Sequence, residues 1–155
     1  MLRLRAPHAE DWPAARALLA AESARHAYAE RALEVLDAAV RGSAEYRVVV
    51  AESGGTPVGV LVYGTTAGAV GAGALYGIAV AERWRRRGTG AELVRHGAEA
   101  LRAGGARFAL AEVPDDESAV GDVLGLLAAA GFREESRVPD FYRDGVALLF
   151  LRREL

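Results

Sequence analysis

One segment constrains this chain more than any other: LYGIAVAERWRRRGTGAELV, from Leu75 to Val94. It opens inside the run ALYGIAV, which is apolar on both faces, as a strand in the middle of a sheet must be. It closes by entering AELVRHGAEALRAGG, an amphipathic helix. The inner face of that helix is Val94, Ala98 and Leu101, its outer face can pair Arg95 with Glu99, and Gly104 or Gly105 ends it. A buried strand that turns at once into such a helix belongs in an α/β layer. The turn aims the unpaired N–H groups and the positive dipole end of the helix at the space beyond the strand. Gly88 and Gly90 can take φ > 0, and neither has a side chain to hold a ligand off the backbone. Arg85, Arg86 and Arg87 add charge at the same end, and hydrogen bonds to charged groups contribute about 1.5–3 kcal/mol each. The segment therefore reads as an anion site. Its competing reading is a solvated arginine face before an ordinary glycine turn, because short glycine motifs often match by chance.

Two familiar glycine loops do not fit. A dinucleotide fingerprint needs a third glycine where Leu93 stands. A phosphate loop of the Walker type needs a lysine, and all 19 basic residues are Arg. The lack of Lys also excludes Schiff-base chemistry, and the lack of Cys excludes disulfides, thiolate nucleophiles and Cys-ligated zinc. His8, His26 and His96 fit no constellation, so no metal is expected. Net charge is −2, so the arginine run acts locally and no nucleic-acid partner is expected. No stretch has the apolar length of a membrane span, and MLRLRAPHAEDW carries no signal-peptide run. The expectation is a cytoplasmic protein with no membrane partner, and 155 residues suggest one domain over 1–155.

Along the chain, MLRLRA alternates as a short strand. Asp11 can cap a helix that holds Pro13 in its first turn and is anchored by Trp12, Leu18 and Leu19. AERALEVLDAAVRG puts Leu33, Leu36 and Val40 on one helical face and stops at Gly42. YRVVVAES and PVGVLVYG are strands joined by GGT, a hairpin signal. TTAGAVGAGA is loose, and the central strand and its helix follow. RFALAEV is a strand, PDDES a polar loop, and AVGDVLGLLAAAGF an apolar helix. FREESRV and VALLFLRREL close the chain as strands around PDFYRDG. The order is β-α-α-β-β-β-α-β-α-β-β, which implies a mixed sheet of six to seven strands with four helices on its two faces.

The central segment resembles motif A of the GCN5-related N-acetyltransferases, the GNAT superfamily, in which a strand ends in V-x-P-x-x-[RQ]-x-x-G-x-[GA]-x-x-L. Val80, Arg85, Gly88, Gly90 and Leu93 fall on that pattern in register. LLAAAGF looks like the family's helix before its last two strands, and RVPDFYRDGVALLFLRREL is similar to a group of small bacterial members. The element order resembles the GNAT fold along nearly the whole chain. The resemblance implies an α/β GNAT fold that binds acetyl-CoA. The pyrophosphate would lie on the turn at Arg85, Arg86, Arg87, Gly88, Thr89, Gly90 and Ala91. The pantetheine arm would lie along the strand edge at Ile78, Ala79 and Val80, where Gly77 could bulge and open the sheet. It further implies acetyl transfer to a small-molecule or peptide amine by direct attack in a ternary complex. The amide near Val80 would polarise the carbonyl, and a homodimer is one common assembly. Thr89-x-x-Glu92 also reads as a capping box, which would fold a carboxylate toward the phosphates unless the helix starts a residue away or Glu92 turns outward.

The chain departs from the family pattern at three places. Glu82 stands where Pro is usual. Leu127 stands where many members carry a Tyr that acts as general acid. ALYGIAV has no carboxylate where many members carry a Glu base. Glu112 acting through water is the substitute base and Tyr142 the substitute acid. Their competing readings are a solvated strand-end carboxylate and a packed hairpin anchor. Tyr76 is a third candidate, more naturally a core residue. Asp115, Asp116 and Glu117 could draw in a cationic amine or simply be solvated. Two other functions remain in view: a GNAT-fold acyl-CoA-binding protein with lost or altered catalysis, and an unrelated α/β nucleotide-binding module.

Overall fold

A computed structural model describes residues 1–25 and 27–155; His26, one of the histidines given no role above, lies outside the described residues. The elements are β1 (Arg3–Arg5), α1 (Trp12–Arg25), α2 (Glu30–Val40), β2 (Tyr46–Ser53), β3 (Thr56–Thr65) and β4 (Ala72–Val80). There follow α3 (Thr89–Ala103), β5 (Phe108–Pro114), α4 (Glu117–Ala129), β6 (Arg133–Arg143) and β7 (Val146–Glu154). This is the order expected from the sequence. The strands form one seven-stranded sheet, β1-β2-β3-β4-β5-β7-β6. Neighbours are antiparallel except β4 and β5. A parallel pair needs a crossover, and α3 supplies it.

The sheet separates two apolar layers. Leu19, Ala32, Val35 and Leu36 of α1 and α2 pack on Val48, Val50, Val60, Val62 and Ala79. On the other face Leu93, Val94 and Leu101 of α3 and Leu127 of α4 pack on Val49, Leu61, Ala109, Ala111 and Val113. In α2 the buried residues are Ala32, Val35 and Leu36, and Val40 is 45% exposed. The expected stripe Leu33, Leu36, Val40 is therefore rotated by about one position. The cause is Gly77 of β4, which approaches α2 so closely that a Cβ there would run into the Cβ of Ala32. Only a small residue fits at that contact.

Helices α2, α3 and α4 end alike. Ser43 N–H bonds the Ala38 carbonyl, Ala106 N–H bonds Leu101, and Phe132 N–H bonds Leu127. Gly42, Gly105 and Gly131 between them have φ of 88°, 96° and 94°. This is the Schellman closure, and it explains Gly131-Phe132: the glycine reverses the chain, and buried Phe132 lands on buried Leu127. Asp11 does not simply cap α1. It is buried, accepts the His8 N–H at 2.6 Å, and pairs with Arg5, which also bonds Glu52 at 3.3 Å. Most of PDFYRDG, expected as a loop, is strand: β6 runs to Arg143, with a register break between Val138 and Arg143.

Candidate active site

The strand–turn–helix segment forms as its residues dictate. After Val80, a single 3₁₀ turn (Glu82–Trp84) begins at Glu82. The first position of a helical turn tolerates Pro because its N–H would be unpaired there, so Glu for Pro is a mild change. Arg86 then takes φ 58° and Gly88 φ 83°. Gly88 is the cap of α3, and the Glu92 N–H bonds its carbonyl at 3.0 Å. The N–H groups of Thr89, Gly90 and Ala91 therefore precede the helical ladder and point out of the helix end. Glu92 pairs with Arg95 at 2.6 Å, so there is no capping box and no carboxylate folded over those amides. The two motif glycines have different duties. Beside Gly88 nothing lies within 4 Å of where a Cβ would stand, whereas a Cβ on Gly90 would come within 2.9 Å of Leu126 Cδ2. Gly88 supplies a left-handed backbone under open space, and Gly90 lets α4 pack on α3.

The arginines diverge. Arg85 turns inward: its Nε donates to the Val80 carbonyl at 3.0 Å and its Nη2 to Glu22 at 2.9 Å. Arg87 lies over the Trp84 ring at 5.4 Å. Arg86 lines the cavity above the turn, together with Arg85, Gly88, Gly90 and Ala91. Neither Arg87 nor Thr89 lines that cavity. Thr89 is buried, and its hydroxyl donates to the Trp84 carbonyl at 3.2 Å.

The sheet opens beside this turn. Pairing of β4 with β5 stops at Leu75 and Ala111, yet β4 continues to Val80 and β5 to Pro114. On its other edge β4 stays paired to β3, with Ala79 opposite Val60, and the Ala81 N–H bonds the Val58 carbonyl at 2.8 Å. Strand alternation then turns the N–H and C=O of Ile78 and Val80 toward the opening. The bulge lies in the β3–β4 pairing, where Tyr63 faces Leu75 and Val62 faces Gly77. The extra residue is thus Tyr76, not Gly77. Tyr76 packs with the α1–α2 layer, the same side on which Gly77 meets Ala32.

Three spaces follow one another along this opening. The first, about 410 Å³, lies above the turn and is lined by Ile78, Ala79, Val80, the α3 start, Glu22 and the α4 residues Ala119 to Val123, Gly125 and Leu126. The second, about 100 Å³, lies in the split between β4 and β5. Ile78, Val120, Val123 and Glu22 border both. The third, about 540 Å³, lies on the α2 side above Ala74, Tyr76, Leu110 and Glu112, and is walled by Tyr28, Glu30, Arg31, Glu34 and Tyr142. Tyr28, Leu75, Tyr76 and Glu112 border both the split and this cleft. Leu127 stands in the split, an apolar wall with no proton to give.

Glu112 is exposed at the mouth of the split. Tyr142 borders only the α2-side cleft, and burial and then the nearby Glu112 raise its pKa above the ordinary tyrosine value. Burial likewise raises Tyr76, whose hydroxyl donates to the Thr65 carbonyl at 2.7 Å. Asp115 pairs with Arg137, and Glu117 is exposed in the first turn of α4. Two residues here had no sequence signal. Tyr28 donates to Asp116 at 2.8 Å and stacks edge-on against Tyr142 at 5.1 Å. Glu22 holds Arg85 from α1. Both contacts join positions far apart in the chain, which no local pattern reports. Among the described residues no group of His, Cys, Asp or Glu is placed to hold a metal ion, and no helix is long and apolar enough to cross a membrane.

Known proteins share this architecture. The structure of a GNAT-family protein from Desulfovibrio desulfuricans matches with a TM-score of 0.87 at 25% identity, over 99% of each chain. A protein from Salmonella typhimurium, solved with its cofactor acetyl-CoA, matches with a TM-score of 0.78 at 17% identity, over 99% of this chain and 94% of that one. The ribosomal-protein-alanine N-acetyltransferase of Brucella melitensis matches at 0.79 with 22% identity, over 99% of each chain. No curated protein matches in sequence. The family model of the acetyltransferase (GNAT) family matches residues 9–123, a span that holds the split strand, the glycine turn and α3. The chain belongs to the GNAT acetyltransferase family.

Proposed function

We propose that the protein is an acetyl-CoA-dependent N-acetyltransferase that moves an acetyl group to an amine by direct attack in a ternary complex. The observation that carries this reading is the early end of β4–β5 pairing at Leu75 and Ala111. It leaves the Ile78–Val80 edge unpaired beside the open amides of α3 and connects a cleft on one side of the sheet to one on the other. The cradle fits the cofactor. The amides of Gly90 and Ala91 and the Arg86 guanidinium suit a pyrophosphate. The edge groups of Ile78 and the Val80 N–H suit the amide-bearing pantetheine arm. The Val80 carbonyl is already taken by Arg85, so that arm would bond at one place fewer than the strand alone suggests. When bound, the cofactor supplies an activated acyl group. The split of about 100 Å³, walled by Leu75, Val113, Val120 and Leu127, suits a short one.

The acceptor would enter from the α2-side cleft. Its nitrogen forms a bond to the acyl carbon, the carbon–sulfur bond breaks, and the sulfur leaves as a thiolate. The nitrogen's proton passes through water to Glu112, which borders both spaces, and Tyr142 returns a proton to the sulfur. The raised pKa of Tyr142 keeps that proton in place at neutral pH. Positioning and polarisation by the Val80 N–H carry much of the rate. The test is transfer of labelled acetyl from acetyl-CoA to a panel of amines, with products read by mass spectrometry. Labelled amide is expected. Tight acetyl-CoA binding with no labelled amide would instead make the protein an acyl-CoA binder, the outcome that Leu127 and the carboxylate-free β4 would then explain.

A further inference from the structure

We infer that the acceptor is a small cationic amine with no carboxylate on the carbon that bears the nitrogen, an inference that rests on the transferase reading above. The cleft of about 540 Å³ is the only space among those described here that meets the split from the α2 side, so an acceptor must present its nitrogen there. Its charged lining is Glu30, Arg31, Glu34 and Glu112. Arg31 is held by Glu34 at 3.1 Å, which leaves the carboxylates of Glu30 and Glu112 to set the potential. The rest of the lining holds three rings, Tyr28, Tyr76 and Tyr142, beside smaller or aliphatic residues. Ring faces and carboxylates together attract a cation and favour an apolar or flat body behind it.

The same lining rejects an anion. An α-amino acid needs a guanidinium fork or several free donors for its carboxylate. The one guanidinium among the described lining residues, Arg31, pairs with Glu34, the Tyr76 hydroxyl donates to the Thr65 carbonyl, and the Tyr28 hydroxyl donates to Asp116. The side-chain donors left in that lining are the neutral hydroxyls of Thr66 and Tyr142, which make no charged fork. A carboxylate next to the reacting nitrogen would lie beside Glu112, at the mouth of the split, where like charges repel. Glu112 thus would do two things at one place: it would draw the protonated amine in and, once water has carried off the first proton and the nitrogen has attacked, take the second.

Matched pairs isolate the carboxylate: phenethylamine against phenylalanine, and putrescine against ornithine, each with acetyl-CoA and with ornithine scored only for acetylation of its α-nitrogen, because its δ-nitrogen has no carboxylate on its carbon. CoA release gives kcat/KM, and mass spectrometry identifies the product. In both pairs the amine without the carboxylate should be preferred by at least about tenfold. Glu30→Gln should raise KM for putrescine several-fold with kcat unchanged, a split that a merely structural role would not give. Equal or better use of phenylalanine and ornithine would overturn the acceptor assignment and leave acetyl transfer standing. Binding of acetyl-CoA with no transfer to any of the four would overturn this inference, and no transfer across the wider amine panel would overturn the transferase reading with it.

Discussion

The two ends of the cleft are built in opposite ways. The end above α3 is made of backbone: the amides of Gly90 and Ala91, the left-handed Gly88, and the edge at Ile78 and Val80 left unpaired by β5, all from one run of sequence. The α2-side end is made of side chains brought from separate elements: Tyr28 before α2, Glu30 and Arg31 within it, Tyr76 on β4, Glu112 on β5 and Tyr142 on β6. A backbone site is fixed by the turn that makes it, so it can serve one cofactor while the rest of the surface changes. A side-chain site is fixed only by the packing of the whole fold, so it can be re-aimed residue by residue. On the proposed function, the difference would put cofactor choice at the first end and acceptor choice at the second.

The largest expected effect breaks the backbone end alone. Gly88 and Gly42 have nearly the same φ, 83° and 88°, and neither has anything within 4 Å of a Cβ position. Valine at either site pays the same kind of penalty for a left-handed backbone, about 1–3 kcal/mol. Gly88→Val also places a branched side chain over the open amides. It should abolish measurable CoA binding by calorimetry, while Gly42→Val binds as the parent does. Both melting temperatures should fall by a similar several degrees. Tight CoA binding by Gly88→Val would make RRRGTG a surface turn.

Next in size is the side-chain end. Tyr142→Phe keeps the ring that stacks on Tyr28 and removes only the hydroxyl. On the proposed role as general acid, loss of the Tyr142 hydroxyl should lower kcat on the order of 10²-fold, with KM little changed. An unchanged kcat would reduce Tyr142 to an anchor of the hairpin and leave water as the proton source.

The same contrast governs what could be read from the sequence. The strand, glycine turn and helix were legible because each is local: period, cap and dipole lie within Leu75 to Val94. So was the element order, including the α3 crossover that makes β4 and β5 parallel. The buried stripe of α2 departs from the sequence pattern because a large apolar residue signals burial more loudly than Ala32, and the need for a small residue comes from Gly77, more than forty positions away. The direction of Arg85 depends on Glu22, and the place of Tyr28 on Asp116. Those pairings exist only once the sheet has brought the segments together.

A smaller effect separates charge from backbone within the turn. Arg86 holds φ 58°, which costs a residue with a Cβ and costs glycine nothing. Arg86→Gly therefore keeps or strengthens the turn and deletes only the guanidinium. With Arg85 engaged by Glu22 and Arg87 stacked on Trp84, Arg86 is the cation expected to respond to salt. The variant should bind CoA up to about fivefold more weakly, as an exposed ion pair contributes about 0–1 kcal/mol. It should also show a flatter salt dependence than the parent in paired titrations. Identical salt dependence would assign phosphate binding to the amides alone.

The smallest effect probes the fastening of the side-chain end. Asp116 accepts the hydroxyl hydrogens of Ser118 and Tyr28 and pairs with Arg143, so it ties the start of α4 to the segment before α2 and to β6. The Ser118 hydroxyl first, and then that of Tyr28, favour the ionised carboxylate and lower its pKa to about 2. An unfolded Asp titrates near pH ~3.9. Because the folded value is the lower one, the ionised group adds stability that is fully present above about pH 4 and is lost as pH falls toward 2. Asp116→Asn keeps the shape and an accepting oxygen but cannot ionise. Denaturant midpoints of parent and variant should therefore differ by a constant amount from pH 7 to 5 and converge between about pH 4 and 2. Curves that stay parallel to pH 2 would mean that Asp116 gains nothing from its charge, and that the α2-side cleft is held by ring packing of Tyr28 on Tyr142 instead.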